Sequence, residues 1–171
     1  MSVLDVQKSL EGLVGYLEKN PDKAHSADSP VTAVIEEGLR CRASGRGDRT
    51  LVSDMPKPAG GGGTAPTPGW FLRAALATCD ATVIAMRAAQ LGITLTTLEV
   101  TVDSESDDRG LLGMDNTIPA GPLCVRIRVR IGADSLPSER LREIVRWSET
   151  HSPVGDAIKR AVPTTVEVEV A

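Results

Sequence analysis

The side chains of this 171-residue chain that most readily act as nucleophiles, bases or metal ligands are three cysteines and two histidines. Cys41, Cys79 and Cys124 are far apart and odd in number, which argues against a disulfide framework and suits a reducing compartment. Neither His25 nor His151 stands at a metal-ligand spacing from a cysteine, so no metal site is predicted. The best candidate for chemistry is therefore a single reactive thiol.

Hydrolytic chemistry is not expected. A Ser–His–Asp triad would have to use His151 as its base, and the chain has no Gly-x-Ser-x-Gly elbow. Several carboxylates cluster at residues 103–108, where a predicted strand ends, and such a cluster is typical of a solvated turn.

Cys79 lies in a long alanine-rich segment, residues 70–90, that predicts a central helix. One stripe of this helix carries Leu72, Ala75, Leu76, Cys79, Val83 and Met86, and another carries Arg73, Asp80 and Arg87. A thiol on an apolar stripe is more often an inert core residue than a nucleophile, and reactivity requires a nearby cation or oriented donors. Cys41 and Cys124 fall in predicted strands and are interpreted as structural or surface thiols.

The first half of the chain predicts a helix, a linker and a hairpin. Apolar residues at three- and four-residue steps predict an amphipathic helix over 3–18, and residues 21–30 are a polar linker. Two runs with β-branched residues, 31–43 and 50–52, flank Gly45-Arg46-Gly47-Asp48 and predict a hairpin. The glycine-rich run 56–68 lacks the Lys-Ser/Thr of a phosphate-binding loop, so a plain loop is favoured.

The second half predicts three strands and two helices. Apolar and polar residues alternate over 98–102, 123–131 and 166–170, which predicts a sheet with one covered and one solvated face. The arginines of the middle strand are expected to pair with Glu167 and Glu169. A helix is predicted over 137–149, and Ser152-Pro153 predicts the start of a short one. The order indicates an α+β fold, with helices against an antiparallel sheet in two layers.

Composition excludes several function classes. The net charge is −4 with a pI near 5.2, and aromatic residues make up only 2% of the chain, so nucleic-acid binding is not expected. No run of 18 apolar residues predicts a membrane span, and charges near the N-terminus argue against a secretory signal. These features predict a cytoplasmic protein.

The motifs resemble those of the OsmC/Ohr family of osmotically inducible and organic hydroperoxide resistance proteins. The resemblance is carried by LVSD at 51–54, the glycines at 60–63, PTPGWFLRAALATC at 66–79, SDDRG at 106–110, the helix around Trp147, HSPV at 151–154 and the C-terminal strand. It covers residues 31–171 as one domain, and residues 1–30 are an added N-terminal helix and linker.

The resemblance implies an intertwined homodimer with the central helix buried and the active site at the subunit interface. It also implies an organic hydroperoxide as substrate and a dithiol reductant as partner, with no cofactor. Family peroxidases use a peroxidatic cysteine that becomes a sulfenic acid and a resolving cysteine that closes a disulfide. An arginine, oriented by a glutamate, favours the thiolate.

Compared position by position, this chain keeps two of these four functional residues. Cys79 matches the peroxidatic cysteine, and Arg46, eight residues before Asp54, matches the spacing of the arginine, with Arg49 as its competitor. Gly69 stands where the family has the glutamate, and Ser152 stands where it has the resolving cysteine.

The resemblance further suggests that Ser152, His151 and Trp70 line the binding site. Without a resolving cysteine, a sulfenic acid at Cys79 would wait for an external thiol. The main hypothesis is therefore a one-cysteine thiol peroxidase for organic hydroperoxides. The alternatives are a non-catalytic dimer that binds a small apolar ligand, and a redox sensor.

Overall fold

The computed structural model describes residues 2–170 and divides them into two compact units. One unit is Ser9–Ala75, and the other comprises the remainder of the described chain. Helix α1 (Val3–Lys19) agrees with the predicted N-terminal helix and ends before a short 3-10 turn, Pro21–Lys23.

The strands of the first unit form a three-stranded antiparallel sheet. Its strands are β1 (Val31–Glu37), β2 (Arg40–Gly45) and β3 (Arg49–Ser53), in the order β1-β2-β3. The prediction of one strand over 31–43 is wrong, because the chain turns at Gly38, whose φ of +56° lies in the left-handed region that favours glycine. The predicted hairpin between β2 and β3 is confirmed.

The glycine-rich segment after β3 is closed by the carboxylate of Asp54, which is buried. Its oxygens accept N–H bonds from Met55 (2.8 Å), Gly62 (3.3 Å) and Thr64 (2.9 Å), and a hydroxyl bond from Thr64 (2.9 Å). A Cβ at Gly61 would lie 2.0 Å from the Met55 carbonyl oxygen, so only glycine fits there. The loop, which includes a 3-10 turn at Lys57–Ala59, folds around a carboxylate of the protein itself.

Helix α2 (Pro68–Gln90) begins in the first unit and continues into the second. The second unit also contains β4 (Leu95–Glu105), α3 (Asp108–Leu111), β5 (Cys124–Ala133), α4 (Ser138–Glu149) and α5 (Pro153–Lys159). β4 and β5 pair antiparallel. Together these elements give the α+β architecture with antiparallel sheets and a long helix.

The buried face of α2 differs from the predicted stripe. Leu72 and Met86, expected inside, are each 37% exposed, whereas Asp80, expected on a polar stripe, is only 7% exposed. The buried apolar residues of the described chain are Leu76, Val83, Ile84, Ala88 and Ala89 of α2, and Leu141 and Ile144 of α4. The length and composition of α2 would also suit a membrane-spanning helix. This is weak evidence for a membrane span, since the core helices of soluble proteins share these properties.

The arginines of β5 do pair with acids across the sheet, but the predicted partners are wrong. Arg126 bonds Asp103 (2.8 Å) and Glu105 (2.5 Å) of β4, and Arg128 also bonds Asp103 (2.6 Å). The antiparallel register of β4 and β5 puts Asp103 directly opposite Arg126 and Glu105 opposite Cys124, two residues along the strand from Arg126. Both acids are therefore within reach of the arginines, and no partner from the C-terminus is needed.

The predicted C-terminal strand is absent from the structure. Residues 161–170 form neither helix nor strand, and Val166, Val168 and Val170 are 84%, 82% and 89% exposed. An alternating pattern is not sufficient for a strand, because a strand also needs a neighbouring edge to bond to.

The hydrogen bonds to Asp54 predict a loss of stability in acid. The Thr64 backbone N–H, followed by the Thr64 hydroxyl and the N–H groups of Gly62 and Met55, lowers the pKa of the Asp54 carboxyl below its ordinary value. Since the pKa is lower in the folded chain, the stabilisation is complete above the unfolded value of about 3.9 and is lost as the pH falls through the folded pKa. Urea unfolding between pH 7 and pH 2 measures this loss.

The matched variants are Asp54→Asn and Asp28→Asn, since Asp28 is exposed in the linker. At pH 7 we expect Asp54→Asn to lower the urea midpoint, and the difference from the native chain should shrink below about pH 4. Asp28→Asn should follow the native curve throughout. A difference between Asp54→Asn and the native chain that does not change with pH would contradict this account.

Candidate functional site

The sulfur of Cys79 and the hydroxyl of Ser152 form the central pair of the candidate site. Cys79 lies in the middle of α2, half-buried, and Ser152 lies between α4 and α5, only 1% exposed. The Ser152 Oγ donates a hydrogen bond to the Cys79 Sγ at 3.3 Å. Two residues that are 73 positions apart in sequence are thus brought into direct contact.

The orientation of the Ser152 hydroxyl is fixed by its role as the N-cap of α5. Its oxygen accepts a hydrogen bond from the Gly155 N–H at 3.1 Å, which confirms the capping role expected of Ser152-Pro153. A hydroxyl has one proton to donate, and here that proton is directed at the sulfur. The Ser152 hydroxyl is therefore a fixed donor beside the Cys79 sulfur.

His151 precedes Ser152 in the chain, but its ring contacts Trp147, near the C-terminal end of α4. The imidazole stacks on the Trp147 ring with 3.8 Å between centroids, and Arg87 of α2 lies 4.8 Å from the Trp147 ring centroid. The Nδ1 atom is 2.7 Å from the Trp147 carbonyl oxygen. Since a carbonyl oxygen only accepts, Nδ1 is the donor in this contact.

Arg46 and Trp70 belong to the other compact unit. Arg46 lies in the turn between β2 and β3, where it lines a surface cavity of about 570 Å³ together with Arg49. In the described part of the chain neither arginine forms an ion pair, so the choice between them stays open. Trp70, in the first turn of α2, is 49% exposed and packs edge-to-face on Phe71 with 5.3 Å between centroids.

Gly69 is the second residue of α2, and the space around it is open. A Cβ there would be 3.8 Å from the Arg73 guanidinium and 3.9 Å from the Thr67 hydroxyl, both ordinary contact distances. No steric constraint requires glycine at this position, so Gly69 differs chemically from the glutamate of the family resemblance. A side chain would fit, and none is present to orient a cation.

The other two cysteines lie on β-strands. All three cysteines are free thiols: Cys41 lies in β2, in the first unit, and Cys124 lies exposed at the start of β5. The Cys124 sulfur lies 3.8 Å from the Arg126 guanidinium, and Cys124 pairs with Glu105 at the end of the β4–β5 ladder. Over residues 2–170 there is also no group of three or more His, Cys, Asp or Glu residues that could hold a metal ion.

Asp80 is the residue whose environment the sequence did not predict. It follows Cys79 directly and is nearly buried, and its Oδ1 would lie 3.7 Å from a Cβ at Gly155. Its signal in the sequence is a lone carboxylate in the middle of an otherwise apolar, alanine-rich helix. Its seven-residue spacing from Arg73 and Arg87 places it on the stripe that carries these arginines, which does not indicate burial.

Comparisons with known proteins agree with this fold. The family model for OsmC-like proteins matches residues 60–167. Among solved structures, an OsmC-like protein from Mycoplasma pneumoniae superposes with a TM-score of 0.65 at 18% identity, covering 79% of this chain and 89% of that one. The organic hydroperoxide resistance protein OsmC from Legionella pneumophila gives 0.58 at 19%, covering 79% and 91%.

OhrB of Bacillus subtilis, an organic hydroperoxide resistance protein, superposes with a TM-score of 0.52 at 18% identity, covering 78% of this chain and 91% of that one. At these identities the likeness to solved structures concerns the fold alone. Comparison with curated protein sequences gives no significant match.

The capping role of Ser152 predicts a measurable loss when its hydroxyl is removed. Ser152→Ala leaves the Gly155 N–H without its acceptor, and we expect the free energy of unfolding to fall by about 0.5–2 kcal/mol. Ser138→Ala is the matched control, because Ser138 is exposed at the start of α4 and makes no capping bond there. Chemical denaturation of both variants checks the difference, and equal losses would contradict the capping role.

Proposed function

Since the chain belongs to the OsmC-like protein family, we propose that it reduces organic hydroperoxides through Cys79, with a thiol from outside the chain as the reductant. The observation that supports this most directly is the Ser152 hydroxyl, buried and directed at the Cys79 sulfur at 3.3 Å. Reactive cysteines need oriented donors or cations beside the sulfur, and the Ser152 hydroxyl is a donor in that position. Cys79 itself is half-buried, so the residue is not enclosed by the chain.

The proposed reaction is a two-electron oxidation of sulfur. The Cys79 thiolate attacks the terminal oxygen of the hydroperoxide, so that an S–O bond forms as the O–O bond breaks. The alkoxide leaves and takes up a proton to become an alcohol, and Cys79 becomes a sulfenic acid. One external thiol then displaces water to give a mixed disulfide, and a second releases the disulfide and restores the Cys79 thiol.

The residues around Cys79 are the reason for proposing an external reductant. The position that faces the sulfur is a serine, which donates a hydrogen bond but has no sulfur with which to close a disulfide. Cys124 is exposed on β5, and Cys41 lies in the other unit. Arg46 remains the predicted cation of the proposed site, on the basis of the family resemblance.

The test is intact mass spectrometry after brief exposure to cumene hydroperoxide and dimedone, which traps sulfenic acids. We expect one adduct on the native chain and on Cys124→Ser, and none on Cys79→Ser. Cys124→Ser is the matched control because it removes the exposed thiol. An adduct that persists in Cys79→Ser, or a native chain that neither consumes peroxide nor gains mass, would exclude the proposal.

A second variant tests the absence of a resolving thiol. In Ser152→Cys the new sulfur lies where the Ser152 Oγ now contacts Cys79, close enough for a disulfide to form with little movement. After peroxide we expect this variant to lose the mass of two hydrogens and to give no dimedone adduct. A stable sulfenic acid in Ser152→Cys would contradict the proposed placement of Cys79 and Ser152.

We also propose that the protein works as a homodimer. Apolar side chains are exposed on β1, where Val31 is 69% exposed, and along the C-terminal segment, where Val166, Val168 and Val170 alternate with glutamates. Exposed apolar patches of this kind mark surfaces that another chain covers. A second copy of the chain is the partner that the family resemblance suggests.

Sedimentation equilibrium should therefore give twice the chain mass of 18.0 kDa. Val168→Asp places a charge in the middle of the apolar side of the C-terminal segment and should shift the mass toward that of one chain. Val162→Asp is the control, since Val162 is exposed but lies outside the alternating run. A native chain that stays at 18.0 kDa at tens of micromolar would exclude the dimer.

A further inference from the structure

A cleft on the second unit opens onto the carboxylate of Asp80. It has a volume of about 250 Å³ and lies among α2, α4 and β5. Its polar lining consists of Asp80, Ser148 and Glu149, and its walls are otherwise aliphatic, from Ile84, Val129 and neighbouring side chains. Neither Cys79 nor Ser152 lines it, so this acidic cleft is distinct from the pair described above.

Asp80 is the unusual member of the acidic cleft. It is only 7% exposed, no hydrogen bond or ion pair to its carboxylate occurs among residues 2–170, and neither carboxylate oxygen is completely shielded from solvent. Burying a carboxylate is costly unless it is paired, so a nearly buried acid keeps either a protein partner or access to water. Since Asp80 lines the cleft and has no protein partner, its carboxylate is available to a cation that enters the cleft.

The other polar groups of the acidic cleft reinforce its negative character. Glu149 is a second carboxylate, and the nearby Lys159 ammonium bonds the Glu149 backbone oxygen at 2.8 Å rather than either acid. The Ser148 hydroxyl donates its proton to the Val145 carbonyl at 2.7 Å, which leaves only acceptor capacity on its oxygen. The polar groups of the cleft therefore present acceptors and negative charge to a ligand.

From this arrangement we infer that the acidic cleft binds a small organic cation, a protonated amine on a short aliphatic chain. The ammonium group supplies the donors and the charge that Asp80, Glu149 and Ser148 lack. The alkyl chain packs against the aliphatic walls, which would be poor surroundings for a hydrated metal ion. This inference does not rest on the peroxidase chemistry, because the cleft contains neither the sulfur nor the Ser152 hydroxyl.

The probes are n-butylammonium chloride and butan-1-ol, which differ chiefly in charge, with sodium chloride as the control for ionic strength. Calorimetric titration of the native chain should show saturable binding of one n-butylammonium per chain. Binding of butan-1-ol should be weaker by about tenfold or more, as expected when a charged hydrogen bond to a buried carboxylate is missing. Equal binding of the two probes, or heat from n-butylammonium no greater than that from sodium chloride, would overturn the inference.

The variants test Asp80 and its neighbour. Asp80→Asn should weaken n-butylammonium about tenfold or more while leaving butan-1-ol unchanged. Asp156→Asn is the matched control, because Asp156 is exposed on α5 and pairs with Arg160. If Asp80→Asn does not fold, Glu149→Gln decides, since Glu149 is exposed and its replacement should weaken n-butylammonium about threefold. Unchanged binding in the folded variants would refute the assignment.

Discussion

Burial of one face of α2 is the constraint on which the second unit depends. Leu76, Ile84 and Ala88 recur at helical spacing and are almost completely removed from water, as are Leu141 and Ile144 of α4. Since hydrophobic burial is the main favourable contribution to folding, this packing sets the rotation of α2 about its own axis. That rotation brings Cys79 to the Ser152 hydroxyl and Asp80 to the acidic cleft.

Much of the fold can be predicted from local sequence signals. The helical spacing of α1 and α4, the alternation in β4 and β5, and the Ser152 cap each depend on residues a few positions apart, and the structure has these elements. The α+β class follows from their order. The turn at Gly38 was missed because the β-branched pattern continues on both sides of the glycine. A single glycine with a left-handed backbone conformation ends a strand without changing the hydrophobic pattern around it, so the pattern alone does not show the turn.

What could not be predicted depends on contacts between distant residues. The sequence offers two sets of acidic partners for the arginines of β5, in β4 and in the C-terminal segment. Only the pairing of β4 with β5 shows that the partners are Asp103 and Glu105 and not Glu167 and Glu169. The contact between Cys79 and Ser152 joins residues 73 positions apart. The family resemblance matched both positions to a thiol pair, but the hydrogen bond that replaces a disulfide there is visible only in the folded chain. Asp80 likewise could be identified as buried only once α4 and β5 were in place.

The closure of the glycine-rich loop by Asp54 has a consequence for how the chain could diverge. The carboxylate bonds main-chain N–H groups of Met55, Gly62 and Thr64, and main-chain groups are the same whatever the side chain. Gly60 and Gly63 have a positive φ, and a Cβ would lie 2.0 Å from the Met55 oxygen at Gly61 and 3.0 Å from the Asp54 carboxylate at Gly62, so these four positions favour glycine. Substitutions can therefore accumulate at residues 55–59, whereas an insertion or deletion would misplace the N–H groups that Asp54 binds. The length of this segment is therefore more tightly constrained than the identity of residues 55–59.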